Sequence, residues 1–137
     1  MERKATAVWS GSGKEGKGKL STASKTLNET PYNYVMRFEE APGTNPEELI
    51  AAAHAGCFNM KLSFILGKAG FTPKELATEA KVTLDAPGIT AIHLELKANI
   101  PGITREQFQT AAEDAKENCP VSKALSSVPI TMNITLA

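Results

Sequence analysis

The segment from Asn45 to Gly70 constrains the fold most, because it carries both the start and the stop signals of one long helix. Asn45 supplies an N-cap, Pro46 takes the first helical position, where its missing N–H is not needed, and Glu48 completes a capping-box-like start. Gly70 supplies the stop, so the spacing predicts a helix over about Pro46 to Ala69. Leu49, Ala53, Gly56, Met60 and Phe64 recur at helical spacing, while Ala51, Ala52 and Ala55 keep the other faces small enough for close packing. This pattern describes a central, largely buried helix.

Strands dominate elsewhere. Lys4 to Trp9 and Leu20 to Leu27 read as an opening hairpin across the glycine-rich connection Gly11 to Gly18. Tyr32 to Glu39 alternates, with Tyr32, Tyr34, Met36 and Phe38 on one face and Asn33, Val35, Arg37 and Glu39 on the other. Thr78 to Leu84 and Ile89 to Ile100 follow, joined by a turn at Ala86, Pro87 and Gly88; in the second, Ile92, Leu94, Leu96, Ala98 and Ile100 alternate with polar side chains. Thr104 and Gln107 form a capping box that opens a helix carrying Phe108, Ala111, Ala112 and Ala115 and ending near Asn118, because Pro120 disfavours helical geometry before it. Pro120 begins a second short helix, and Val128 to Leu136 closes the chain as a strand. The order βββα-ββ-αα-β lacks regular βαβ alternation and predicts an α+β fold.

At 137 residues and 42% hydrophobic content the chain is expected to form one domain, 1–137. Fifteen basic and fifteen acidic residues cancel, and the lysines are scattered, which argues against nucleic acid as a partner. No apolar signal core follows Met1, and no stretch reads as bilayer-spanning, so a soluble, cytoplasmic protein without a membrane partner is expected. In a reducing cytosol, two lone cysteines are more often catalytic, redox-sensing or metal-binding than structural.

Several constellations compete for the chemistry. Gly11 to Gly18 nearly spells a phosphate-binding loop, but Gly18 stands where a Ser or Thr is needed, and a strand follows where a helix is required. Cys57 lies mid-helix, where a small buried hydrophobe would also fit, and Cys119 lies at a helix junction, where an incidental cap would fit. A thiol just before Pro120 faces free N–H groups, so on physical grounds alone Cys119 is the better nucleophile. His54 precedes Cys57 by about one helical turn and could pair with it as a Cys-His nucleophile, although a hydrogen-bonded core histidine is the commoner outcome. His54, Cys57, His93 and Cys119 are zinc-ligand types, but no paired spacing organises them, and no metal or other cofactor is expected.

The run from Gly43 to Met60, containing Asn45, Pro46, Glu47, His54, Gly56 and Cys57, closely resembles the central helix of the OsmC/Ohr family of hydroperoxide reductases. Pro31 to Glu39 and Glu117 to Lys123 resemble two further segments of that family, so the likeness covers essentially the whole chain. The position of Arg37 just before the helix resembles the OsmC branch. The resemblance implies an OsmC-like fold, with a long central helix packed on antiparallel sheet in an intertwined homodimer whose active sites are composite. It also implies Cys57 as the peroxidatic cysteine, Cys119 as the resolving cysteine, Arg37 as the cation over the thiolate and Glu47 as the carboxylate orienting it. On these terms the protein would be a thiol-dependent peroxidase acting in oxidative or osmotic stress defence. It would reduce organic hydroperoxides and hydrogen peroxide through a Cys57 sulfenate and a Cys57–Cys119 disulfide, which an external dithiol reductant resets. Met36, Phe38, Phe58 and Phe64 are candidate walls for an apolar peroxide. The alternatives are a non-enzymatic redox sensor or binding module using the same disulfide, and an acyl hydrolase using Cys57 and His54.

Overall fold

The computed structural model describes residues Met1 to Ala137, which cluster into two compact units, Met1–Leu49 and Ile50–Ala137. In the first unit, β1 (Ala5–Ser10) pairs antiparallel with β2 (Lys17–Thr22), and β3 (Thr30–Tyr32) joins the other edge of β2. Between β1 and β2, Gly11 turns at φ +97° and the Ser12 carbonyl accepts from the Gly16 N–H at 2.8 Å. The glycine-rich run is therefore a hairpin turn leading into a strand, which removes the phosphate-loop reading. Gly18 serves a close approach: a Cβ there would strike the rings of Trp9 and Tyr32, whose centroids lie 5.4 Å apart.

The segment Tyr32 to Glu39 is not an alternating strand; it leaves the sheet after Tyr32 and turns into a short helix, α1 (Tyr34–Phe38). Asn33 accounts for this, because its side-chain oxygen accepts the Met36 N–H at 2.9 Å and satisfies a donor that the first helical turn leaves free. Tyr34 and Phe38 then meet one turn apart, with ring centroids at 4.9 Å. Asn45 ties α1 to the next helix, α2 (Pro46–Lys68): its amide donates to the Met36 carbonyl at 3.0 Å, and its oxygen caps Glu48 N at 2.8 Å. The Glu48 carboxylate takes the Thr44 hydroxyl at 2.8 Å, outside a reciprocal capping box.

In the second unit β4 (Glu75–Asp85) and β5 (Gly88–Asn99) form a long antiparallel hairpin. α3 (Arg105–Asn118) and α4 (Pro120–Ala124) then cross over and return the chain as β6 (Ile130–Leu136). β6 runs parallel to β5, with Ile92 opposite Ile130, so this sheet is mixed and not wholly antiparallel as expected. A crossover of this length brings the strand back in the same direction, which a tight turn cannot do. The Thr104 and Gln107 capping box is complete, and α3 ends at Asn118 as expected.

Phe58, Leu62 and Leu66 of α2 meet Ile92, Leu94, Leu96 and Ala98 of β5 and Phe108, Ala112 and Ala115 of α3 in the core. The buried face of α2 thus differs from the expected one. His54, Phe58, Leu62 and Leu66 are fully covered, whereas Met60 and Phe64 are 64% and 67% exposed. With small residues around much of the helix, its sequence offers two apolar stripes, and only the sheet decides which one is covered. α2 is also, at 23 residues and a mean hydropathy of 1.4, long and apolar enough by length and composition to cross a bilayer, contrary to expectation. Its covered stripe nonetheless packs in a protein core.

Candidate active site

Arg37 and Glu47 are joined by local structure. α1 presents Arg37 in its last turn, the Asn45 link holds α1 against the start of α2, and Glu47 sits in the first turn of α2. Arg37 Nε donates to Glu47 Oε1 and Nη2 to Oε2, both at 3.0 Å, which is the fork-to-fork geometry of a bidentate pair. The hydrogen bonds that Arg37 donates to Glu47 raise its pKa above the ordinary value, so the guanidinium stays charged. Glu47 is 7% exposed, while the arginine side chain keeps 41% of its surface open. The carboxylate is therefore the buried anchor and the guanidinium the available face. Glu48 accepts the Thr44 hydroxyl instead, so of the two glutamates it is Glu47 that pairs with Arg37.

Cys57 and Cys119 come together in the second unit. Both are free thiols, Cys57 half-buried on α2 and Cys119 fully buried at the α3–α4 junction. Burial pushes the Cys57 thiol up, and the neighbouring Cys119 pushes it further; the Val121 amide and the Lys61 charge act in the opposite direction. Left to the chain alone, then, Cys57 is a poorly ionised thiol with a second thiol beside it. Cys119 ends α3 by donating its N–H to the Ala115 carbonyl, and its sulfur caps α4 by accepting the Ser122 N–H at 3.3 Å.

His54 does not serve Cys57. Its Nε2 lies 2.7 Å from Ser122 Oγ, and that hydroxyl lies 3.1 Å from Cys119 Sγ. His93 bonds Thr131 Oγ1 at 2.7 Å, and no group of three or more His, Cys, Asp or Glu side chains gathers to hold a metal ion. Phe58, one candidate wall for a peroxide, belongs to the core, while Phe38 and Phe64 are exposed. Ser122 is the residue that sequence reasoning missed. The available signal was its place three positions after a capping cysteine, the position whose N–H a cap receives.

An α+β fold with a second thiol placed beside a half-buried helical thiol defines a cysteine-based redox protein. Residues 39–133 match the family of OsmC-like proteins, and the chain belongs to that family. It is 46% identical over 140 residues to Peroxiredoxin OsmC of Escherichia coli strain K12, covering 99% of this chain and 97% of that protein. The Organic hydroperoxide resistance protein of Xanthomonas axonopodis pv. citri is 33% identical over 97 residues, 69% of this chain and 68% of the relative. The crystal structure of an OsmC-like protein from Mycoplasma pneumoniae superposes with a TM-score of 0.78 at 15% identity, covering 100% of this chain and 98% of that one, which establishes the fold. The chain is accordingly a thiol-dependent peroxidase.

Proposed function

We propose that this protein reduces organic hydroperoxides and hydrogen peroxide in the cytoplasm, using Cys57 as the attacking thiolate, Cys119 as the resolving thiol and an external dithiol as reductant. The observation that carries this reading is the placement of Cys119 beside Cys57. Attack on the O–O bond makes a Cys57 sulfenic acid, which condenses with Cys119 to a disulfide and water. We keep residues 1–137 as one working domain, because the boundary between the two compact units falls inside the uninterrupted helix α2.

At an ordinary thiol pKa of about 8.5, only about 3% of Cys57 would be ionised at pH 7. Burial reduces that fraction. Complete ionisation would gain only about thirtyfold over 3%, and nucleophilicity falls with pKa, so a cation that acts on the ground state alone is not enough. Arg37 answers both needs: it favours the thiolate, and its fork can donate to the oxygen that gains charge as the O–O bond breaks.

Arg37 and Glu47 are assigned to the Cys57 of a second copy. Glu47 and Cys57 are ten residues apart on one continuous helix, roughly 15 Å at about 1.5 Å per residue. No glutamate spans that distance along its own helix. A homodimer is supported by the exposed Met60 and Phe64, and by Gly56, where an added Cβ would meet nothing within 4 Å. Small residues at Ala51, Ala52, Ala55 and Gly56 allow two such helices to approach closely.

Turnover of cumene hydroperoxide with excess dithiothreitol tests the reading. Wild type should consume peroxide catalytically and Cys57→Ser should not. A single stoichiometric oxidation without turnover would favour the redox-sensor alternative.

A further inference from the structure

Behind the two thiols lies a buried polar chain that the reaction above leaves without a role. His54 and Cys119 are fully buried and Ser122 is 3% exposed. Ser122 Oγ lies 2.7 Å from His54 Nε2 and 3.1 Å from Cys119 Sγ, and the Ser122 N–H donates to the same sulfur at 3.3 Å. His54 Nδ1 is buried with no partner at all.

That unpartnered atom determines the proton arrangement. An orphaned buried N–H is rarer and costlier than an orphaned lone pair, so the ring carries its proton on Nε2 and donates to Ser122 Oγ. Burial lowers the His54 pKa and keeps the imidazole neutral. With one lone pair of Ser122 Oγ taken by the histidine, the single hydroxyl proton is free to turn toward Cys119. The sulfur then faces two donors of one residue, O–H and N–H.

We propose that Ser122 forms a two-donor cradle for Cys119 Sγ that accelerates its condensation with the Cys57 sulfenic acid, and that His54 is the positioning residue that aims the serine hydroxyl. The inference rests on Cys119 being the resolving thiol. In the step, Cys119 Sγ attacks Cys57 Sγ; the S–S bond forms as the S–O bond breaks, and the thiol proton leaves with the departing oxygen as water. Cys119 sulfur is oxidised and Cys57 sulfur is reduced to the disulfide level, so no outside oxidant is needed. Negative charge gathers on Cys119 Sγ while its proton is leaving and before the S–S bond is complete. The cradle meets that charge in the transition state, whereas the neutral thiol and the disulfide gain little from it. A core built for stability alone would have no reason to keep an unpartnered buried nitrogen where an apolar side chain of similar volume would serve.

The test is a single turnover with one equivalent of cumene hydroperoxide, quenched at intervals and read by intact mass with dimedone trapping of sulfenic acid. In His54→Leu and Ser122→Ala, sulfenic acid should form at the wild-type rate, while disulfide formation slows by about tenfold or more, the loss expected for one donor to a charged atom. The double variant should be about as slow as Ser122→Ala alone, because both changes remove one device. His54→Gln keeps an N–H donor near the Nε2 position and should recover condensation to within about threefold of wild type. Wild-type condensation in His54→Leu overturns the proposal. So does equal slowing of sulfenic acid formation, which would make His54 a support of the fold, or a His54→Gln as slow as His54→Leu, which would make it a proton acceptor. A wild-type protein that forms the Cys57 sulfenic acid but never the Cys119 disulfide removes the resolving role itself, and the cradle with it.

Discussion

Glu47 accepts two hydrogen bonds at 3.0 Å from the Arg37 fork while itself almost wholly buried, so the guanidinium is held in direction as well as in place. Arg37→Lys keeps the charge and loses the fork. A point ammonium cannot be fixed by two parallel bonds and still offer planar donors to sulfur and oxygen together. We expect kcat/KM for cumene hydroperoxide to fall about a hundredfold, in the range seen when one preorganised donor is lost. Near-normal kinetics would reduce Arg37 to a general electrostatic role.

Because Arg37 and Glu47 are paired within one chain, they should travel together to the site of a second copy. Glu47→Ala and Cys57→Ser should each be inactive alone. Mixed and allowed to exchange subunits, they should regenerate about one intact site per heterodimer. Confirmed exchange without recovered activity would show that each chain completes its own site.

Cys119→Ser separates attack from resolution. With its partner removed, Cys57 should consume about one equivalent of peroxide and stop as sulfenic or higher oxides. Mass spectra with the oxides on Cys119 in a Cys57→Ser protein, and a silent Cys57, would reverse the roles of the two cysteines and restore the helix-start argument for Cys119.

Acid should weaken the fold through His54. Burial holds its pKa below the ordinary value of about 6.5, so the unfolded chain takes up a proton at higher pH than the folded one. The stability from this group is complete above about pH 6.5 and is lost as the pH falls below it, by up to about 1.4 kcal/mol per pH unit. Urea unfolding between pH 6.5 and 5 should show this slope in wild type and a shallower one in His54→Gln. Parallel slopes would mean that His54 protonates without cost.

The amino-acid sequence by itself determined the features whose causes lie within a turn or two of chain. Asn45, Pro46 and Gly70 bracketed the long helix, and Thr104 with Gln107 set the start of α3. The alternation from Ile92 to Ile100 marked the core strand, and the motif around Cys57 pointed to thiol chemistry. Tertiary structure decided what depends on where the chain returns. A helical crossover made β6 parallel to β5, whereas the Asn33 cap of α1 was a local signal hidden under an alternating pattern. The sheet chose the Phe58, Leu62 and Leu66 face of α2 over the Met60 and Phe64 face, although both recur at helical period. The contact of His54 with Ser122 joins residues 68 positions apart. Caps and periodicity act through neighbouring backbone groups and can be read locally, whereas a hydrogen bond between distant side chains exists only once packing has brought both out of water.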